Sequence, residues 1–138
     1  MKVIYKSLIA LILFMMGISV QAQIITCHDN KFWRGGKPYY FIGANFWYGP
    51  ILGSQGTFGD RDRLVRELDF LKEKGVNNLR VLVGADGIDG IMTKAEPALQ
   101  TAPGVYNDTI LAGLDYFMNE LRKRDIDRKS TRLNSSHR

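Results

Sequence analysis

The sequence predicts an α/β fold assembled from βα units. Two segments with apolar residues at helical spacing alternate with short apolar segments of strand type. A glycine stands where the first helix should end, and a nearly continuous apolar run from Leu79 to Val83 follows it. Strand, capped helix, glycine and buried strand in this order are typical of a βαβ unit with parallel strands.

An antiparallel hairpin is predicted ahead of these units. Ile24-Ile25 and Lys31-Phe32-Trp33 have the aromatic and β-branched composition of strands. The Gly35-Gly36 pair follows the second of these strands and favours the positive φ of a tight turn. Tyr39 to Ile42 then leads into a strand that we expect to be buried and to end near Trp47.

Two amphipathic helices are predicted. Asp60 is expected to cap the first helix, which should end at Gly75. Asn107 or Asp108 is expected to cap the second helix, whose basic last turn suits the negative end of the helix dipole. The predicted buried residues are Leu64, Val65, Leu68 and Leu71 in the first helix, and Leu111, Leu114, Met118 and Leu121 in the second.

Two loops are candidates for binding segments. Gly49 to Gly59 is glycine-rich, but it lacks the Gly-Lys-Ser/Thr of a P-loop and the dinucleotide spacing, so a mobile loop is predicted. Gly84 to Tyr106 has a length typical of functional or disordered loops. Asp86 and Asp89 are compatible with two interpretations, a calcium site or ordinary turn residues. The ligand spacing of an EF-hand is absent. His28 is assigned no metal or catalytic role, and no metal or cofactor is predicted.

Residues 1–22 have the pattern of a secretory signal peptide. A short lysine-containing segment precedes an apolar run from Leu8 to Val20, and Val20-Gln21-Ala22 supplies small residues at a cleavage site. The run is shorter than the ~20 residues of a membrane-spanning helix, and no lipobox precedes Cys27, so no stable membrane anchor is predicted. Cleavage after Ala22 would yield a secreted or periplasmic protein that contains one cysteine and hence no intrachain disulfide.

Residues 127–138 show no apolar period and are expected to be a non-native tail outside the fold. They resemble translated short-read sequencing adapter, and a disordered basic tail is the alternative. Residues 23–126 are then the folded domain, in which basic and acidic side chains are equal in number. The formal net charge of +5 therefore arises at the two ends, and no nucleic-acid partner is expected.

Candidate site residues lie on the strands of the two units. Asn45, Trp47 and Tyr48 combine an amide with aromatic rings, which suit the hydroxyls and the apolar face of a sugar. The alternative is that Phe46 and Trp47 pack in the core. Arg80 lies within an apolar strand, where an arginine reaches a cleft or neutralises a carboxylate, unless it is an edge residue facing water.

Four parts of the chain together resemble bacterial endo-β-1,4-mannanases of glycoside hydrolase family 5. They are the run GKPYYFIGANFWY from Gly36, Gly59-Asp60-Arg61 with Glu67-Leu68-Asp69, the run GVNNLRV from Gly75, and the loop pieces Leu99-Gln100 and Pro103 to Asn107. The similarity covers roughly Phe32 to Ile126. It implies a (β/α)8 TIM barrel, retaining hydrolysis of β-1,4-mannan and a mannan-type polysaccharide as the partner.

The resemblance also implies roles for individual residues. Arg80 falls where the family's second-strand arginine orients the nucleophilic glutamate, and Asn45, Trp47 and Tyr48 fall where the family lines its sugar subsites. The family's two catalytic glutamates follow the fourth and seventh strands, and this chain's Glu67, Glu73, Glu96 and Glu120 do not match them. We therefore expect the chain to be the hairpin and first two βα units of a longer hydrolase, inactive alone.

Two alternatives remain open at the level of sequence. One is another family 5 β-1,4-glycanase, such as a cellulase-like enzyme, which subsite residues further along the chain would decide. The other is a non-catalytic secreted carbohydrate-binding protein, for which a β-sandwich with many short strands would be expected. Mannan or glucan preference and oligomeric state are not determined by the sequence.

Overall fold

The computed structural model describes residues 24–90 and 95–133, and the chain divides into two compact units between Tyr40 and Phe41. The predicted signal peptide and residues 134–138 lie outside the described residues. The first unit is an antiparallel sheet of β1 (Ile25–His28), β2 (Lys31–Arg34) and β3 (Lys37–Pro38). Gly35 and Gly36 have φ of 56° and 76° in the turn, which confirms the predicted hairpin.

The second unit contains a parallel sheet covered by helices. Its strands are β4 (Gly43–Phe46), β5 (Asn78–Ala85) and β8 (Asp127–Leu133), in that spatial order, and β6 (Gln100–Ala102) and β7 (Val105–Tyr106) form a separate hairpin. The helices are α1 (Gly49–Gly53), α2 (Arg61–Glu73) and α3 (Asp108–Lys123). The parallel βαβ arrangement confirms the predicted α/β class. Among the described residues, none of the helices has the length and apolar composition of a membrane-spanning segment.

The helix ends form where the sequence predicts them. The Asp60 side chain accepts a hydrogen bond from the Arg63 backbone N–H at 2.8 Å and so caps α2. Gly75 follows α2 with φ of 81°, the left-handed conformation typical of a residue just past a helix end. Of the two candidates for the second cap, Asn107 is the residue used, because its side chain accepts from the N–H of Thr109 and Ile110.

The core lies between the helices and one face of the parallel sheet. Leu64 and Leu68 of α2 are fully buried, as predicted, against Leu79 and Val81 of β5 in one hydrophobic cluster. The remaining core residues of this cluster are Phe46, Leu52, Val76, Phe117, Leu121 and Ile126. Burial of this apolar layer is the main driving force for the fold of the second unit.

Leu121 of α3 is buried as predicted, but the other three residues of the predicted buried stripe are wrong by one position. Ile110, Gly113, Phe117 and Leu121 are buried, whereas Leu111, Leu114 and Met118 are only half-buried. The cause is a close crossing of α1 and α3. A Cβ on Gly113 would lie 2.1 Å from the Pro50 carbonyl oxygen, so only the glycine face of α3 can approach α1.

Two glycines of the predicted Gly49–Gly59 loop, Gly49 and Gly53, serve the same crossing. Residues 49–53 are a short helix with Pro50 near its start, and Gly49 and Gly53 are buried. A Cβ on Gly53 would lie 2.3 Å from the Gly113 carbonyl oxygen, and one on Gly49 would overlap the Phe117 ring. The prediction of a mobile loop is therefore wrong for this segment, whose glycines allow close packing.

The helices cover only one face of the parallel sheet. β4 was predicted to be buried, but Phe46 is its only buried residue and Gly43 and Asn45 are exposed. In β5, Leu79, Val81 and Leu82 are buried as predicted, and Arg80 between them is exposed. Successive side chains of a strand point to opposite faces, so Asn45 and Arg80 lie on the face opposite the core.

A third parallel strand follows α3, and it forms from residues expected to lie outside the fold. β8 pairs with β5 from Asn78↔Asp127 to Ala85↔Leu133, with an irregularity between Leu82 and Gly84. A β-ladder is made of backbone groups, so an almost wholly polar segment can occupy this position. The expectation that residues 127–133 lie outside the fold is thus wrong for the structure, and their non-native origin stays a prediction.

An ion-pair network around the buried Glu120 joins α2 to the end of α3. Glu120 is 3% exposed and accepts hydrogen bonds from Lys123 Nζ at 2.5 Å and Arg124 Nη1 at 2.7 Å. Arg124 Nε also donates to Asp69 Oδ1 of α2 at 2.7 Å. Burial alone would raise the pKa of the Glu120 carboxyl, but the hydrogen bonds and charges of Lys123 and Arg124 outweigh it and lower that pKa.

Candidate functional site

A shallow cleft of about 260 Å³ lies on the open face of the parallel sheet. Its central residues are Asn45, Arg80 and Lys129, which are register partners on β4, β5 and β8. Register partners of adjacent parallel strands point to the same face, so these three side chains form a row across the sheet. The other lining residues are Phe41, Gly43, Ala44 and Asn78.

The row carries positive charge. Arg80 and Lys129 are both exposed, and the Arg80 side chain makes no hydrogen bond or ion pair with any residue of the described ranges. An arginine is almost never buried without a partner, which agrees with its position in an open cleft. Two neighbouring cations favour an ionised carboxylate, so the cleft can hold an anionic or strongly hydrogen-bonding group beside the Asn45 amide.

The two predicted aromatic site residues follow the end of β4 and do not line this cleft. Trp47 is 53% exposed, whereas its neighbour Phe46 is 3% exposed and stacks on Phe117 at 5.4 Å. Phe46 therefore packs in the core, as the alternative interpretation predicted, whereas Trp47 does not. The structure brings Asn45 and Arg80 together, and Trp47 and Tyr48 form a second group just beyond the strand.

Tyr48 is bound to helix α2 through its hydroxyl. The hydroxyl donates to Glu67 Oε2 at 2.6 Å, and Arg63 Nε donates to Glu67 Oε1 at 2.6 Å. The Arg63 guanidinium carbon also lies 5.6 Å from the centre of the Tyr48 ring. Burial, followed by the hydrogen bond to Glu67, raises the pKa of Tyr48 to about 12. Burial would raise the pKa of Glu67 too, but the hydrogen bonds from Tyr48 and Arg63 outweigh it and lower that pKa.

Sequence reasoning missed Glu67 as a residue of this region. The spacing of Arg63 and Glu67 by four positions signals a pair on one face of a helix. Tyr48 lies 19 residues before Glu67, and only the tertiary structure brings the two side chains together. The predicted role of Tyr48 in sugar binding stays a prediction, with its hydroxyl already engaged.

The long loop after β5 contains its own structure. The β6–β7 hairpin lies in it, and the Leu99 N–H donates to the Ala85 carbonyl at 2.9 Å. The Asp89 carboxylate accepts from the Ala98 N–H at 2.7 Å, a hydrogen bond that spans nine positions of the loop. Within residues 24–90 and 95–133, no group of three or more His, Cys, Asp and Glu side chains could hold a metal ion.

The chain is similar to known proteins over most of its length. It is 25% identical over 104 residues to mannan endo-1,4-beta-mannosidase 8 of Oryza sativa subsp. japonica, which covers 75% of this chain. A glycoside hydrolase family 5 mannosidase of Rhizomucor miehei has a similar structure, with a TM-score of 0.74 and 32% identity over 79% of this chain. That mannosidase has also been solved as a variant in complex with mannosyl-fructose.

These matches involve only part of each relative. The chain spans about a quarter of each, 25% of the rice protein and 27% of the fungal mannosidase. A shorter stretch of 54 residues is 44% identical to the aspartate carbamoyltransferase catalytic subunit of Limosilactobacillus reuteri. It covers 39% of this chain and 17% of that protein, which is too little to determine the fold.

A family model agrees with the structural similarity. The model described as GH family 5 beta-mannosidase-like matches residues 22–135, which include the hairpin, both βα units and β8. The structural match to the fungal mannosidase covers a similar share of the chain, 79%. The chain belongs to glycoside hydrolase family 5, in its β-mannosidase-like group.

Proposed function

We propose that the chain is the first part of a secreted hydrolase that cleaves β-1,4-mannan internally and with retention of configuration. The observation that carries this proposal is the row of Asn45 and Arg80 on the open face of a parallel sheet in a family 5 chain. The rice relative is named a mannan endo-1,4-β-mannosidase, which supports mannan as the substrate. The share of each relative that the chain spans supports a longer enzyme.

Retaining hydrolysis needs two carboxyl groups ~5–5.5 Å apart, one as acid/base and one as nucleophile. Glu67 is hydrogen-bonded to Tyr48, Glu120 is buried between helices, and no glutamate of the described residues lines the cleft. We therefore propose that the catalytic carboxylates come from strands beyond these units. Arg80 would orient the nucleophile and keep it ionised, and the chain alone would be inactive.

An exo-acting β-mannosidase is the second candidate. The description of the matching family model and the 32% identity to the fungal mannosidase favour it. An endo-acting enzyme binds sugars on both sides of the cleaved bond, whereas an exo-acting enzyme removes one residue from a chain end. The two activities therefore differ in their products.

Digestion of mannohexaose by the full-length gene product separates the candidates. We expect mannobiose and mannotriose as the early products, because an endo-acting cleft cleaves inside the oligosaccharide. Chromatography of a time course measures them, with cellohexaose as the matched substrate and residues 23–138 alone as the inactive control. Stepwise release of mannose would support the β-mannosidase instead, faster cleavage of cellohexaose would support a glucanase, and binding without cleavage would support a carbohydrate-binding protein.

Export is the other part of the proposal. We expect the secreted protein to begin at Gln23, because residues 1–22 have the charge, apolar run and small residues that signal peptidase requires. Mass spectrometry of periplasmic or culture-medium protein measures the new terminus. A Leu13→Arg variant, which interrupts the apolar run, is the control and should stay inside the cell. Secreted protein that retains Met1 would contradict the proposed cleavage.

A further inference from the structure

The ring of Trp47 is exposed, but it contacts the ring of Tyr48, which is held in place by other contacts. The Trp47 and Tyr48 rings pack nearly perpendicular to each other, at a centroid distance of 5.2 Å and an interplanar angle of 83°. Tyr48 itself contacts the buried Phe46 ring at 4.5 Å. One side of Trp47 is thus backed by a ring that the core holds, and the exposed remainder is available to a flat apolar partner.

The support continues into helix α2. The Tyr48 hydroxyl and the Arg63 guanidinium donate to the two different oxygens of Glu67, each at 2.6 Å. Hydrogen bonds to an ionised carboxylate are stronger than bonds between neutral groups, and the two donors fix the carboxylate from both sides. Glu67 belongs to a thirteen-residue helix whose Leu64 and Leu68 are fully buried, so the acceptor stands on a rigid element.

We infer that Glu67 is a positioning residue that acts through Tyr48 to hold the Trp47 ring as a stacking surface for the pyranose ring of a β-linked hexose. The inference rests on the proposed carbohydrate function and deepens it. Tyr48 then contributes to sugar binding indirectly, by holding the Trp47 ring, because its own hydroxyl is hydrogen-bonded to Glu67. If the Trp47 ring is already ordered before the sugar binds, less conformational entropy is lost on binding. Such support therefore increases affinity.

The first experiment needs no sugar. In a Trp33→Phe background Trp47 is the only tryptophan, and its fluorescence anisotropy and acrylamide quenching report the mobility and exposure of the ring. We expect Glu67→Ala to lower the anisotropy and raise the quenching constant, and Tyr48→Phe, which removes only the hydroxyl, to do the same. Glu67→Gln, which keeps an acceptor oxygen, should restore much of the original signal.

Glu73→Ala is the matched control, because Glu73 is on the same helix but is exposed and paired with its neighbour Lys74. We expect this variant to match the parent background. Unchanged anisotropy and quenching in both Glu67→Ala and Tyr48→Phe, with circular dichroism showing retained helix, would overturn the positioning role.

The second experiment titrates the same proteins with mannotriose, followed by Trp47 fluorescence or by chemical shifts. Loss of an aromatic support of this kind should weaken binding by about three- to tenfold in Glu67→Ala and Tyr48→Phe. Sugar binding that depends on Trp47 but is unaffected by Glu67→Ala would overturn the inference and leave the proposed function standing. No binding by the parent protein, or binding unaffected by Trp47→Ala, would overturn the stacking surface itself.

Discussion

Replacing Arg80 with lysine is expected to lower kcat on a soluble mannan by more than about tenfold in the full-length hydrolase to which we propose the chain belongs. The guanidinium offers a rigid planar fork that can bind both oxygens of a carboxylate, and an ammonium group cannot reproduce this geometry. A nearby positive charge also lowers the pKa of a carboxyl group, which keeps a glutamate ionised and nucleophilic. Substrate affinity should change less, because Arg80 would act on the nucleophile.

Steady-state kinetics of the purified enzyme on galactomannan measure this change. Arg122→Lys is the matched control, because Arg122 is an exposed arginine of α3 whose Nη2 donates only to Asn119 of the same helix. A near-normal kcat for Arg80→Lys would show that the residue is a cleft arginine facing water. A rise in KM at unchanged kcat would assign it to substrate binding instead.

Alanine at Gly113 should destabilise the helix layer by about 3 kcal/mol. The new Cβ would meet the Pro50 carbonyl oxygen at 2.1 Å and the Ser54 nitrogen at 2.7 Å, and both are backbone atoms that cannot rotate away. Alanine is the better helix former by about 1 kcal/mol, so intrinsic propensity alone predicts the opposite sign. The sign of the measured change therefore distinguishes steric overlap from propensity.

Urea or thermal denaturation of residues 23–138, followed by circular dichroism, measures the change. Gly43→Ala is the matched control, since a Cβ there meets no atom closer than 3.6 Å and the φ of Gly43 is not positive. We expect that control to alter stability by only a few tenths of a kcal/mol. Equal stability of the Gly113→Ala variant and the parent protein would show that α1 and α3 do not cross this closely.

Sequence patterns predicted the parts of the fold that depend on local chemistry. Asp60 and Asn107 cap their helices and Gly75 ends one, because each signal lies within a few residues of its effect. The buried face of α3 could not be predicted in this way. Its apolar residues admit two neighbouring stripes, and the contact of Gly113 with distant Pro50 decides between them.

The candidate site also contains residues with a local sequence signal and residues that only the tertiary structure brings together. Arg80 was predicted because a charged residue within an apolar strand stands out locally, and Asn45 because an amide beside aromatic residues suits a sugar. Parallel pairing brings the two side by side. The Tyr48–Glu67 bond has no local signal, since strand and helix patterns do not reveal which side chains meet between them. β8 was missed for a different reason, because its polar sequence lacks every side-chain signal of a buried strand.

β8 also has a consequence for association between molecules. Among the described strands it is the last in the parallel sheet, so its outer edge presents backbone groups without a neighbouring strand. Unprotected edges of this kind recruit strands from other chains and lead to aggregation, and lysine is a frequent natural deterrent. The exposed, adjacent Arg128 and Lys129 place positive charge on this strand, so two copies of residues 23–138 alone that approach edge to edge repel each other, whereas the further strands of the proposed longer hydrolase would cover this edge.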